Sequence, residues 1–381
     1  MRVPVALLTA GAVAFGFTYS DHAPLIPLVA AEYALDDLRA GLLSTALFST
    51  YIVATLLTTG LADRVGPKRV VWIGLALSAA GTGLFALAPS YPWALVAKGV
   101  QGFGSAFGFV PAARYVAGLY GPRRSHFALG VYGAGYPAGT ALALIVMPSL
   151  ASLLGGWRGA FAMEAIFIAA CALAWTAAPA VPPVARTGTI RDALRCANCW
   201  LASLQHAAGF GLAIAAGTWI TVYLLREFSL PLALAGLLGS SLLLLAVVAR
   251  GLGGLLLARE RMPSRAVMRA GDIAVVAGVA LLALPGRPLA VALGGALLVG
   301  LGVGLPYSAV FNTAAASLRD APGAAQGLAA VGGTAGVMIG APAMGYAVQT
   351  LGFWAAWALV GALAAIALAA TFVMRGEEEL A

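Results

Sequence analysis

Apolar runs of about twenty residues alternate with short charged or Pro/Gly-rich breaks along the whole of this 381-residue chain. A helix rising 1.5 Å per residue needs about 20 apolar residues to cross the hydrocarbon of a bilayer, so each run has the length of a spanning helix. The pattern predicts about twelve spans, at roughly 3–31, 40–59, 70–89, 92–119, 126–150, 159–180, 198–225, 232–257, 267–286, 288–318, 323–349 and 353–374. The longest polar interruption, residues 181–196, carries Pro182-Pro183, Arg186, Arg191 and Arg195 and leaves six spans on each side. The expected organisation is an N-terminal six-helix bundle over 1–180, a cytoplasmic linker over 181–196 and a C-terminal six-helix bundle over 197–381.

The halves repeat faintly. Gly156-Trp157-Arg158-Gly159-Ala160-Phe161 parallels Gly352-Phe353-Trp354-Ala355-Ala356-Trp357 at an offset of 352 − 156 = 196, and the same offset carries Gly104 and Gly108 onto Gly300 and Gly304. Agreement on one offset favours a duplicated unit.

Composition sharpens the class. With 61% hydrophobic and 9% charged residues and a mean hydropathy of +0.94, the chain lies outside the range of soluble domains. Its net charge of +8 does not point to nucleic acid, because the basic residues sort by side of the membrane. With the amino terminus inside, fifteen of the 22 Lys and Arg fall in inner segments and four (Arg39, Arg158, Arg226, Arg287) outside, which predicts both termini in the cytoplasm. Arg2 before an apolar stretch superficially suggests a secretory signal, but the length of the run and Asp21 within it favour a retained first helix. Arg outnumbers Lys twenty to two, a usage that points to a GC-rich, bacterial source and so to an inner membrane.

Cofactor signals are lacking. Cys171 lies mid-span, and Cys196-Ala-Asn-Cys199 is a CxxC with no second ligand pair, so neither a disulfide framework nor a metal site is expected. Glycine clusters such as Gly332-Gly333 lie inside apolar helices and are not phosphate loops. Dense glycine in spans five, ten and eleven instead permits close helix packing, and with it sliding.

An ionisable group in the hydrocarbon costs several kcal/mol unless it faces a partner or a cavity, so each is a functional candidate. Asp21 and His22 fall in the first span, Lys98 and Arg114 in the fourth, Glu164 in the sixth, His206 in the seventh, Arg250 in the eighth and Asp272 in the ninth. Asp21 lies about 27 Å and Lys98 about 31 Å above the inner ends of their spans, within about one helical turn of one another. Glu164 and Asp272, near span ends, are expected to be solvated or paired with loops.

The connection between spans two and three reads Gly60-Leu61-Ala62-Asp63-Arg64-Val65-Gly66-Pro67-Lys68-Arg69. This order closely resembles the signature loop of the major facilitator superfamily of secondary transporters. Lys98-Gly-Val-Gln-Gly-Phe-Gly resembles that family's Arg-x-x-Gln-Gly-x-Gly segment with Lys for Arg, and Gly156-Trp157-Arg158 resembles the start of its sixth helix. In span five the Gly-Pro pair of proton-driven antiporters is absent.

The resemblance implies an all-α polytopic membrane protein, twelve transmembrane helices in two pseudo-symmetric six-helix bundles. It also implies alternating access, with helices one, four, seven and ten lining a central cavity. The leading expectation is then a secondary transporter, not an enzyme, for a small anionic organic solute with proton coupling. Asp21, His22 and Lys98 would form the polar site of the first half, with Trp219, Arg250, Tyr307 and Asn312 contributing from the second. Gly60, Asp63, Arg64, Gly66, Lys68, Arg69 and Arg114 would form a cytoplasmic latch. An Asp21–Lys98 pair that only braces two helices is the plain alternative for that site. Proton-driven export of lipophilic compounds is the alternative function, and a non-transporting receptor or scaffold the alternative of another class. A hydrolase is disfavoured by the lack of GxSxG and HExxH. The expected partners are a small solute, protons and the lipid bilayer, with no nucleic acid, no metal and no cofactor, and the expected state is a monomer.

Overall fold

The computed structural model describes residues 2–181 and 190–380, with side chains at 2–5, 56–60, 62–64, 113, 117, 120–131 and 190 left aside. Among the described residues every regular element is a helix, and the chain separates into two compact units: Met1–Leu35 with Leu42–Arg186, and Asp36–Gly41 with Thr187–Ala381.

The first unit runs through α1 (Arg2–Phe17), a 3-10 turn (Ala23–Leu25), α2 (Ile26–Tyr33), α3 (Asp37–Val65, from Leu42 onward), α4 (Pro67–Ala86), α5 (Tyr91–Ser105), α6 (Phe109–Leu153) and α7 (Trp157–Trp175). The second contains α8 (Ile190–Leu194), α9 (Ala197–His206), a π-helical segment (Ala207–Gly211), α10 (Leu212–Phe228), α11 (Leu232–Ala258), α12 (Ser264–Ala283), α13 (Leu289–Gly304), α14 (Tyr307–Ser317), α15 (Pro322–Leu351), α16 (Phe353–Ala370) and α17 (Glu377–Leu380). Among the described residues ten stretches are long and apolar enough to cross a membrane. The broken first span and the fourth, begun by α5, complete the twelve-helix pattern.

The structure departs from the predicted spans where helices break. The first is interrupted at 18–22, the fourth at 106–108 and the tenth at Leu305-Pro306, while the seventh passes through the π segment. The predicted gap between spans four and five falls inside α6, at residues whose side chains lie outside those described.

Glycine sets how closely the helices approach. On α5, a Cβ at Gly104 would come 2.5 Å from Ser78 N and 2.8 Å from Gly74 O of α4. On α13, a Cβ at Gly302 would come 2.5 Å from Gly271 O and 2.7 Å from Val275 N of α12. The same backbone-to-backbone crossing therefore occurs in each unit. It corrects the sequence register in this helix: Gly104 corresponds to Gly302, an offset of 302 − 104 = 198, not to Gly300. Gly156 (φ 133°) and Gly352 (φ 92°), both helix N-caps in the left-handed region that favours glycine, keep the offset of 196. Replacing Gly104 with alanine is expected to cost about 1–3 kcal/mol, because backbone rather than a flexible side chain must move. A thermal midpoint equal to that of the wild type would contradict this crossing.

The glycines of spans five and eleven also serve packing inside a unit. A Cβ at Gly135 would lie 2.5 Å from Ala12 Cβ of α1, and Thr140 Oγ1 donates to Gly16 O at 2.8 Å. A Cβ at Gly336 of α15 would lie 3.1 Å from Gly211 Cα.

Polar ties close the helix ends. Arg158 donates to Glu32 Oε1 at 2.6 Å, to Ala86 O at 2.8 Å and to Ala88 O at 2.7 Å, while Trp157 Nε1 donates to Glu32 Oε2 at 2.6 Å. These bonds join α2, α4 and α7 and give the Gly-Trp-Arg motif a structural purpose. Glu378 caps α12, accepting from Ser264 N at 3.1 Å and Ser264 Oγ at 2.8 Å. Partial burial pushes the Glu378 carboxyl up, but these bonds, backbone bonding at its own residue and the Arg265 charge outweigh it and hold the group below the usual glutamate range. Cys196 and Cys199 form a disulfide, Cα–Cα 5.2 Å, across the first turn of α9. The expectation of unpaired thiols is corrected: a CxxC starting a helix brings its two sulfurs to one side without a second pair.

Candidate functional site

The first span breaks where its charge lies. Tyr19 N and Ser20 N bond back to Gly16 O and Phe17 O at 3.2 and 3.4 Å, the i to i+3 pattern of a tightening last turn. Asp21 Oδ1 then accepts from His22 N at 2.6 Å, a local bond that competes with the helix. Pro24 and Pro27 follow in the first turns of the 3-10 segment and α2, where a missing N–H is tolerated. The run Ser20-Asp21-His22-Ala23-Pro24 was thus the signal for a break in a span read as continuous. Asp21 and His22 end fully buried.

Lys98 and Gln101 meet them from α5, three residues apart and so on one face. Lys98 Nζ donates to Asp21 Oδ1 at 2.5 Å and to Gln101 Oε1 at 2.8 Å. Gln101 Nε2 donates to Asp21 Oδ2 at 2.6 Å and to Thr82 Oγ1 of α4 at 2.8 Å. The ammonium also stands 4.7 Å from the ring centroid of Phe85 and 4.9 Å from that of Phe161, whose π faces attract it. His22 Nδ1 lies 3.0 Å from Asp21 Oδ1, an acceptor, so Nδ1 carries the hydrogen. Nε2 lies 2.8 Å from Ser44 Oγ, whose hydroxyl donates to it in the neutral ring.

Glu164 completes the cluster. It is 2% exposed, faces Asp21 and Lys98, and has both carboxyl oxygens buried without a hydrogen-bond partner among the described residues. The expectation of a solvated or loop-paired role is corrected. Glu164 follows Trp157, Phe161 and precedes Ile168 at helical spacing on the buried face of α7, a signal present in the sequence. Gln101 belongs to the site as well, and its place three residues after Lys98 on one helix face is the sequence signal for it.

Two carboxyls thus face one ammonium in a buried interior, and a buried charge without a partner costs several kcal/mol. The cluster reaches neutrality with one proton on the carboxyl pair. Glu164, which has no donor to satisfy it, is the group placed to hold that proton.

The other predicted residues lie elsewhere. Trp219 is fully buried with its indole N–H given to Ala341 O at 2.8 Å, which spends its single donor on holding α10 to α15. Arg250 Cζ lies 4.3 Å from the Tyr307 ring centroid, and Asn312 is exposed on α14. Of the latch residues, Gly60, Asp63 and Arg64 lie outside the described side chains. Gly66, at φ 85°, makes the turn into α4. Lys68 Nζ donates to Thr176 O at 2.8 Å, and Trp175 Nε1 donates to Lys68 O at 3.0 Å, joining α4 to the end of α7. Arg69 is exposed and Arg114 half-buried.

Comparison with known proteins places this arrangement. The family model of the Major Facilitator Superfamily matches residues 7–328. A "Probable hexose phosphate transport protein" of Chlamydia trachomatis is 25% identical over 156 residues, 41% of this chain and 34% of that protein. The chain thus spans about a third of the length of that relative. A "Probable nitrate/nitrite antiporter NarK1" of Thermus thermophilus is 26% identical over 253 residues, 62% of this chain and 56% of its own length. Among solved structures, a bacterial homologue of the human lysosomal transporter Spinster, in an inward-facing and occupied conformation, superposes with a TM-score of 0.80 at 17% identity. The match covers 97% of this chain and 95% of that one. At that identity the likeness establishes the fold.

Proposed function

Because this chain belongs to the Major Facilitator Superfamily, we propose that it is a membrane transporter that moves a small organic anion across the membrane by proton-coupled alternating access. The observation that carries the reading is the buried Asp21–Lys98–Gln101–Glu164 cluster at the broken first helix. Helix breaks inside transporters place polar groups at substrate and ion sites, because unpaired backbone there must line a cavity or find protein partners. With Asp21 ionised, Lys98 is neutralised internally. With Glu164 also ionised the cluster carries one excess negative charge that repels an anion, and a proton arriving on Glu164 removes it. Proton and anion therefore favour each other's binding, which is the requirement for symport.

Within the second unit Arg250 and Tyr307 supply a cation and a hydroxyl of their own, and the loop at 60–69 with Arg114 acts as the cytoplasmic latch. The distribution of Lys and Arg supports both termini in the cytoplasm, and the monomer is the working unit. Export of a lipophilic compound is the second reading, favoured by the aromatic wall of Tyr19, Phe48, Tyr51 and Tyr136 beside the site.

Thermal unfolding of the detergent-solubilised protein against small carboxylates, inorganic anions and lipophilic amines separates the two readings, since a ligand bound only to the folded state raises its midpoint. The anion reading expects stabilisation by an anion that disappears in Lys98→Ala. Stabilisation by amines alone, indifferent to Lys98, would replace it with the export reading.

A further inference from the structure

His206 lies outside the site just described, and its ring is tightly held. Nδ1 lies 3.0 Å from Ala329 O, which can only accept, so Nδ1 carries the hydrogen and Nε2 presents a lone pair. That Nε2 is buried and has no hydrogen-bond partner among the described residues. The ring cannot readily turn to satisfy it. Phe311 meets it edge-on with centroids 4.9 Å apart, Phe210 stacks at 5.6 Å, and a Cβ at Gly333 would come 2.7 Å from Cε1.

A fixed cation stands nearby. The Arg250 guanidinium lies over Tyr307, whose ring centroid is 6.3 Å from that of His206, and its charge reaches the imidazole. Both sides of this corner are helix irregularities: the π segment begins at the residue after His206, and α14 begins at Tyr307 after the break at Leu305-Pro306. Such interruptions are frequent at functional sites in membrane helices.

A buried acceptor without a donor is a cost in the empty protein that a ligand carrying an O–H removes. A guanidinium held across the Tyr307 ring from it selects an oxyanion, since it donates hydrogen bonds and cannot lose its charge. We propose that His206 and Arg250 form a subsite for an oxyanion bearing an O–H donor next to its charge, as in a 2-hydroxycarboxylate: the oxyanion pairs with Arg250 and the hydroxyl donates to His206 Nε2. The inference rests on the anion reading above and narrows the substrate class within it.

The test uses matched pairs differing by one hydroxyl, lactate with propionate and malate with succinate, titrated calorimetrically into the purified full chain. For one pair at least, the hydroxylated member is expected to bind about tenfold more tightly to the wild type, the worth of one buried hydrogen bond. The ratio falls to about one in His206→Phe, which keeps a ring but has no acceptor, and is partly restored in His206→Gln, whose carbonyl accepts. Equal binding of both members to the wild type, or a preference that persists in His206→Phe, overturns this assignment and leaves the anion reading standing. No binding by any of the four acids, together with stabilisation by lipophilic amines alone, overturns both.

Discussion

Lys98→Met is expected to destabilise the protein by about 3–5 kcal/mol, the usual result of removing one partner from a buried ion pair. The cause is the charge left behind: Asp21 would keep Gln101 and His22 but lose the only ammonium, 2.5 Å away, that neutralises it in a fully buried setting. The informative variant is the double one. Asp21→Asn with Lys98→Met removes both charges while keeping similar volumes, and the stability is expected to return to within about 1–2 kcal/mol of the wild type, as buried pairs replaced together often show. Transport should not return with it. If the pair only braces α5 against the broken first span, the doubly neutral protein will carry substrate in proteoliposomes at close to the wild-type rate, and the site assignment fails. Folding and transport separate in this cycle because the first needs charge balance, whereas the second needs charges that can part.

Glu164→Gln is expected to leave the fold intact and uncouple transport from the proton. Neither carboxyl oxygen of Glu164 is satisfied by a donor among the described residues, and a Gln amide can donate toward Asp21 as the protonated carboxyl would, so the uncharged isostere should change stability by less than about 1 kcal/mol. One coupled proton falling through one pH unit supplies about 1.4 kcal/mol, enough for roughly tenfold accumulation of substrate. In proteoliposomes with such a gradient, the variant should equilibrate substrate without concentrating it, while exchange of labelled for unlabelled substrate at equal pH continues. Undiminished accumulation would assign the proton elsewhere, with Asp21 the remaining acid of the cluster. Loss of exchange as well would make Glu164 a substrate contact rather than a proton carrier.

Much of this protein was legible in one dimension. The length of each apolar run fixes a spanning helix, because backbone groups in hydrocarbon must be satisfied within the helix itself. The meeting of Asp21 and Lys98 was legible for a related reason: depth in a regular helix is residue number multiplied by rise, and the two fell within about a turn of one another. The signature loop and the repeat of the Gly-Trp-Arg segment identified the family from order alone.

What the sequence left open is which way a side chain points and where a helix yields. The spacing of Glu164 with Trp157, Phe161 and Ile168 puts it on one face of α7, but the packing of α7 on α4 is what turned that face toward Lys98 rather than toward lipid or solvent. The breaks at Asp21 and at Leu305-Pro306 follow from competition between local hydrogen bonds, proline and the helix, a balance that neighbours decide. Register was corrected by contact as well: Gly104 pairs with Gly302 because both let one backbone reach another, a property of the crossing and not of the spacing. The orphaned Nε2 of His206 exists only in three dimensions, since Ala329 and Gly333 on α15 fix the ring and no pattern along α9 announces them. The sequence by itself determined the spans, the depth of the charges and the family; tertiary packing decided their facing, because rotation about a helix axis is set by neighbouring helices and not by the helix's own backbone.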